Sequence, residues 1–166
     1  GEQLSLRHVY TAAGGENDIR LRVYPEAITY CGNRAPRSGI AAQFSLSHGV
    51  AAMLVTGDLG PSQFSTMALA NAQVQRVEAL VQLQPEPEHF GPNGRGAVLE
   101  VQCAGHWYSQ EVRTIEGDAG CPPSTAQRFA KFTQYCGANP AALALGERLL
   151  TAPLNLDSSL VLETHS

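Results

Sequence analysis

The sequence predicts an α+β fold, a small, mostly antiparallel sheet with helices packed on it. Three features carry that expectation. Residues 18–24 alternate polar and apolar side chains, the period-2 signature of a half-buried strand. Residues 96–103 and 107–115 also alternate, with Gly105-His106 between them as turn material, which is the pattern of a β-hairpin. Elsewhere the apolar spacing becomes helical. The order strand, helices, strand, hairpin, helices lacks the regular βαβ alternation of a doubly wound protein.

Taken along the chain, Leu4, Leu6, Val9 and Tyr10 fit a short helix or a strand, and Gly14-Gly15 ends that segment. Pro25 closes the first strand. Cys31 to Ser38 read as a loop by composition. From Gly39 onward, Ile40, Phe44, Val50, Met53 and Leu54 fall near helical spacing, with Ser38 as N-cap and Gly57 as the residue past the end. Gly49 inside that helix costs about 1 kcal/mol relative to alanine, so it marks close packing or a bend. Pro61 starts a second short helix through Leu69, and a third runs from Asn71 to Val77. Leu80, Val81 and Leu83 suggest a strand ended by Pro85 and Pro87, and residues 85–95 read as a long loop.

After the hairpin, residues 117–123 form a loop in which Gly117 and Gly120 are expected at positive φ. Ser124 or Thr125 caps a helix to Tyr135, and Gly137 ends it. Pro140 opens another to Leu150, which Pro153 stops. The tail carries Leu154, Leu156, Leu160, Val161 and Leu162 with no evident packing partner.

Composition narrows the function. The chain has 166 residues, enough to bury a core without staples, and 43% of them are apolar, which excludes intrinsic disorder. Only 16% are charged, against about 25% in a typical domain, so part of the surface is expected to be covered by a partner or by the rest of a longer protein. The net charge is −4 and Lys131 is the one lysine, so no nucleic-acid partner is expected. No apolar stretch reaches the roughly 20 residues of a membrane span, and no charged-then-apolar leader pattern is visible, so no membrane partner and a cytoplasmic location are expected. Cys31, Cys103, Cys121 and Cys136 are widely spaced without a CxxC, which suits reduced thiols. No metal and no cofactor are expected. Dinucleotide-binding, P-loop, nucleophile-elbow and zinc-protease motifs are absent.

Segment similarity carries more. Residues 41–54, from Ala41 through Phe44-Ser45-Leu46-Ser47-His48 to Leu54, resemble the "AxFSLxYxVAxAL" helix of the MmgE/PrpD family, which includes 2-methylcitrate dehydratase, cis-aconitate decarboxylase and iminodisuccinate epimerase. The strand from Asp18-Ile19 resembles that family's "DIxxIxVxxxP". Arg34-Ala35-Pro36 resembles its "RPxP" loop, and Gly57-Asp58 its "DG". Gly117-Asp118, Pro123 and Phe129-Ala130-Lys131-Phe132 resemble its "GxxxxPxxxEEKF" ending.

The ordered match covers about residues 15–135, which is only the smaller domain of a full member. It implies a lid domain over residues 1–135. Residues 136–166 would be a helical segment that in full-length relatives returns to an all-helical domain. The activity implied is that of a carbon–oxygen lyase or isomerase acting on di- or tricarboxylates. The partners implied are that small-molecule substrate and the helical domain of the same enzyme. A homodimer is compatible with the resemblance, since full-length relatives are commonly dimeric. By that division of labour the chain alone is inactive. The competing expectation is a stand-alone, non-catalytic binding or regulatory module that kept the lid fold.

His48 stands where decarboxylase-like members carry a tyrosine facing the cleft. The resemblance implies donation to a substrate carboxylate or proton movement near neutral pH, against a histidine that only packs. Arg34 and Arg37 lie in the loop entering the helix. Arginine matches a carboxylate bidentately, and the alternative is solvated loop charge. Ser45 is a candidate hydrogen-bond partner for a ligand, or a structural serine. Lys131, matching the family lysine, reads as a surface or structural residue. His89 and His106 read as exposed, and Trp107 as packed on the sheet.

Overall fold

The computed structural model describes residues 6–12, 18–90, 94–115, 117–137 and 139–151. Leu4, Gly14-Gly15, Pro153 and the apolar tail lie outside them. The chain divides into two compact units, residues 1–121 and residues 122–166.

The first unit is built on a four-stranded sheet in the order β2-β1-β3-β4. Strand β1 (Ile19–Val23) pairs in parallel with β2 (Val81–Pro85) and antiparallel with β3 (Ala97–Cys103), and β3 pairs antiparallel with β4 (His106–Val112). Two of the three pairings are antiparallel, so the expected α+β fold with a mostly antiparallel sheet is the one adopted. The period-2 pattern of β1 decides its faces. Ile19, Leu21 and Val23 are buried, and each meets apolar neighbours: Val81 and Val101 beside Ile19, Leu83 and Leu99 beside Leu21. Arg20 and Arg22 alternate onto the other face. There Arg22 pairs with Glu86 at 3.3 Å, and the Arg20 guanidinium lies 4.0 Å over the Trp107 ring. Trp107 therefore packs against the sheet through Arg20, and stays 39% exposed.

The apolar face is covered by helices that form between β1 and β2. These are α2 (Pro25–Cys31), α3 (Gly39–Gln43), α4 (Leu46–Thr56), a 3₁₀ turn (Pro61–Phe64), α5 (Thr66–Leu69) and α6 (Ala72–Leu80). Helix α1 (Leu6–Ala12) packs on α4 and β3, which settles the N-terminal ambiguity in favour of a helix. Alanines 51 and 52, both essentially inaccessible, let α4 lie close to α6. The core joins them to Ile19, Leu54, Val77, Val81 and Val101. Burying each of those larger side chains stabilises the fold by about 1.5–3 kcal/mol.

Four local expectations need correction. Pro25 does not merely close β1. Its fixed φ suits the first turn of α2, a helix the composition did not suggest. The single helix expected from Gly39 to Gly57 is broken at Phe44-Ser45. Ser45 is extended (φ −126°, ψ 99°), forms an antiparallel bridge with Gly32, and caps a new helix by accepting from the His48 N–H at 3.2 Å. The hairpin turn is Ala104-Gly105, both at positive φ (49° and 80°), and His106 already belongs to β4 opposite Cys103. Gly117 has φ 104°, but Gly120 is not at positive φ. The caps at Ser38 and Gly57 are as read: Ser38 accepts from the Ala41 N–H and Gly57 is left-handed at φ 78°.

The second unit is a pair of helices, α7 (Thr125–Cys136) and α8 (Pro140–Thr151). A capping box starts α7: Ser124 accepts from the Gln127 N–H while the Gln127 side chain accepts from the Ser124 N–H. The helices meet where Phe132 lies against Gly146. A Cβ on Gly146 would come within 2.4 Å of that ring, so a larger residue there would oblige the ring to move. All four cysteines are free thiols. Among the described residues no helix is long and apolar enough to cross a membrane, and no three His, Cys, Asp or Glu side chains group as a metal site.

Candidate functional site

Residues 32–37 connect α2 to α3, and their backbone has no ladder to join. Their polar groups are satisfied by neighbouring helices instead. Gly32 bridges to Ser45, and the Asn33 amide donates to the Ala41 carbonyl at 3.1 Å. The Arg34 guanidinium reaches the C-terminus of α6, donating to the carbonyls of Val81 at 2.8 Å, Glu78 at 3.0 Å and Ala79 at 3.4 Å. A cation suits that helix end, where unpaired carbonyls and the helix dipole both favour positive charge. The Ala35 N–H donates to the Glu78 carboxylate at 2.8 Å. Ala35 has φ 48°, a left-handed conformation that costs a non-glycine residue on the order of 1 kcal/mol. Arg37 is the first residue after these anchors whose side chain is exposed and without a hydrogen bond or ion pair to a described residue.

His48 sits in the first turn of α4 and is only 2% exposed. Its Nε2 lies 3.0 Å from the Gln63 carbonyl. A carbonyl oxygen can only accept, so Nε2 carries a proton and, in the neutral ring, Nδ1 is the acceptor. The 3₁₀ turn that supplies Gln63 is drawn over α3 by a glycine: a Cβ on Gly39 would lie 2.6 Å from the Phe64 carbonyl oxygen. Asp58 organises the approach to that turn. Its carboxylate accepts from the Gly60 N–H at 2.9 Å, with longer contacts to Ser62 and Gln63 at 3.4 Å. The Gly60 N–H, ahead of the other contacts, holds the Asp58 carboxyl below its ordinary range.

Between these two sets of residues lies a pocket of about 570 Å³ lined by Arg34, Arg37, His48, Leu69, Gln75 and Glu78, with Ala35, Pro36 and Ala79. Three of the four residues singled out from the sequence therefore meet in one place. The fourth, Ser45, is buried below it, bonding the His48 N–H and lying 3.2 Å from the Ser47 hydroxyl. The sequence reading missed Glu78 and Ser47. Glu78 is 5% exposed on the face of α6 that also buries Val74 and Val77. Its Oε1 accepts from Ala35 and from the fully buried Ser47 hydroxyl at 3.0 Å. The available signal was position: Glu78 follows Val74 by one helical turn and so shares its apolar face.

The other candidates lie elsewhere. Lys131 is exposed on α7 in the second unit. His106 is exposed on β4, and His89 pairs with Glu111 at 3.2 Å. What the pocket offers a ligand is the Arg37 cation and the His48 ring, on walls that α4, α6 and an anchored loop hold in place, while the Glu78 carboxylate is taken up by Ala35 and Ser47.

A search of curated proteins finds no match to this chain. The family model of the MmgE/PrpD C-terminal domain matches residues 14–142, a span that takes in the whole sheet, the pocket and α7. The chain belongs to the MmgE/PrpD family, as its C-terminal domain.

Proposed function

We infer that this chain closes the active-site cleft of an MmgE/PrpD-type lyase or isomerase acting on di- or tricarboxylates, with 2-methylcitrate dehydration as the leading reaction. The observation that carries the reading is the pocket that gathers Arg37 and His48 at the mouth of a firmly anchored loop. A reaction of this class removes a proton next to a carboxylate, and the electron pair moves onto that carboxylate as an aci-carboxylate. Hydroxide leaving from the neighbouring carbon, with a proton from a general acid, gives the alkene and water. In this reading most acid–base groups come from a helical domain. The present chain contributes the Arg37 guanidinium for a substrate carboxylate and the His48 Nδ1 to accept from a substrate hydroxyl. Arg34 and Ser45 act through others: one fixes the loop to α6, and the other starts the helix bearing His48. Closure excludes water and strengthens these contacts. Four free thiols suit a cytoplasmic setting.

The test is turnover of 2-methylcitrate and cis-aconitate by the chain alone and after mixing with a helical domain from a full-length relative. Turnover in the mixture alone is expected, with Arg37→Ala raising KM about tenfold, the size of one charge-assisted contact. Turnover by the chain alone would overturn the division of labour. A second reading, a stand-alone binding or regulatory module, draws on the apolar core contained between Leu6 and Val101. It predicts carboxylate binding with no turnover in either arm.

A further inference from the structure

We propose that Glu78 is a positioning residue whose carboxylate holds Ala35 in the left-handed turn that presents Arg37, and that Ser47 ties this turn to the helix bearing His48. What the pocket binds rests on the functional reading above; the positioning rests on geometry alone. A carboxylate buried on an otherwise apolar helix face is costly to desolvate, and a leucine there would extend the stripe of Val74 and Val77. The position makes sense through what Glu78 accepts. One oxygen takes the Ala35 N–H at 2.8 Å from the loop and the Ser47 hydroxyl at 3.0 Å from α4. Ser47 in turn lies 3.2 Å from Ser45, the residue that caps α4 in front of His48. A single acceptor thus links the two elements that carry the pocket's cation and its histidine.

The Ala35 backbone needs such a hold. At φ 48° an alanine has no conformational preference to keep it there. The neighbouring anchor, Arg34, acts through its side chain, whereas Glu78 holds the backbone N–H of residue 35 itself. Loss of that bond lets the turn relax toward ordinary φ and carries Arg37 out of register with His48.

The experiment uses the full chain, with amide hydrogen exchange at Ala35 and a citrate titration followed at the Arg37 and His48 amides by NMR. Glu78→Gln keeps an acceptor oxygen, so Ala35 protection and citrate affinity are expected to stay within about threefold of wild type. Glu78→Leu is expected to speed Ala35 exchange and weaken citrate each by about tenfold, with a smaller effect from Ser47→Ala. Ala35→Gly supplies a residue at ease with positive φ, so adding it to Glu78→Leu should recover most of the citrate affinity.

Unchanged Ala35 exchange in folded Glu78→Leu, or no recovery with Ala35→Gly, would overturn the proposal. So would Glu78→Gln proving as damaging as Glu78→Leu, since charge rather than an acceptor would then be what matters. If Glu78→Leu fails to fold, Ser47→Ala decides: Ala35 exchange left at the wild-type rate overturns the proposal. Arg37→Ala separates the two readings. It should weaken citrate by about tenfold and leave Ala35 exchange alone. A wild-type chain indifferent to citrate would count against the carboxylate reading while the Ala35 exchange rates still judge Glu78.

Discussion

Arg34 and Arg37 stand three positions apart in one loop, and the difference between them is what each guanidinium touches. Arg34 donates to three carbonyls at the end of α6, and Arg37 to none among the described residues. Arg34→Ala should therefore lower stability by about 1–2 kcal/mol, through lost charge-assisted bonds and lost charge at a helix C-terminus. Arg37→Ala should change it by less than about 0.5 kcal/mol, since it removes no contact with a described residue. Urea unfolding of both variants checks the split, and equal losses would mean that Arg37 has a structural partner. From sequence the two arginines looked alike, because both are cations in a loop of the same composition. His48 was legible through its place in a family helix. Glu78 was not, because a glutamate inside a helix ordinarily faces water and its partners Ala35 and Ser47 lie 43 and 31 positions away.

The elements themselves were largely legible, since strand alternation and capping residues are local signals. β1 stands where period 2 put it, the hairpin does so with its turn one residue earlier and its return strand ending at Val112, and Ser38, Gly57 and Ser124 cap as read. The break between α3 and α4 was not legible. Helical spacing continues through Phe44-Ser45, and the break depends on a bridge to Gly32 thirteen residues earlier. That makes Ser45→Ala informative: it should cost about 1 kcal/mol, the size of a lost N-cap, and loosen the first turn that holds His48. Gly39→Ala should cost about 1–3 kcal/mol, because the new methyl meets backbone at Phe64 rather than a side chain free to turn away. Thermal melts of both variants read these costs.

The approach to the 3₁₀ turn adds a pH dependence. The folded state holds the Asp58 carboxyl below its ordinary value of 3.8, so on acidification the unfolded chain takes up that proton first. The contribution of Asp58 is present above pH 3.8 and is lost as pH falls through the lowered folded value. Asp58→Asn should accordingly flatten the acid limb of a stability–pH curve and leave the neutral limb parallel to wild type.

At the scale of the whole molecule, burial is unevenly shared between the units. The core cluster lies between Leu6 and Val101, while α7 buries no residue and α8 buries only Gly146. Tyr135 and Leu149 leave 66% and 43% of their surfaces exposed. Two helices of 12 residues each fall at the length where an isolated helix is marginal in water, and packed on each other they fully bury only Gly146. If the chain works with a helical domain, that domain is what α7 and α8 are expected to pack against. Hydrogen exchange of the chain by itself should then show slow amides at Ile19, Leu54 and Val101 and fast ones across residues 125–151. Adding the helical domain should slow the α7 and α8 amides by at least about tenfold and leave the sheet unchanged. Amides in α7 and α8 as slow as those of the sheet before any partner is added would mean the helices are already covered within the chain. That outcome would favour the stand-alone module over the cleft-closing half of an enzyme.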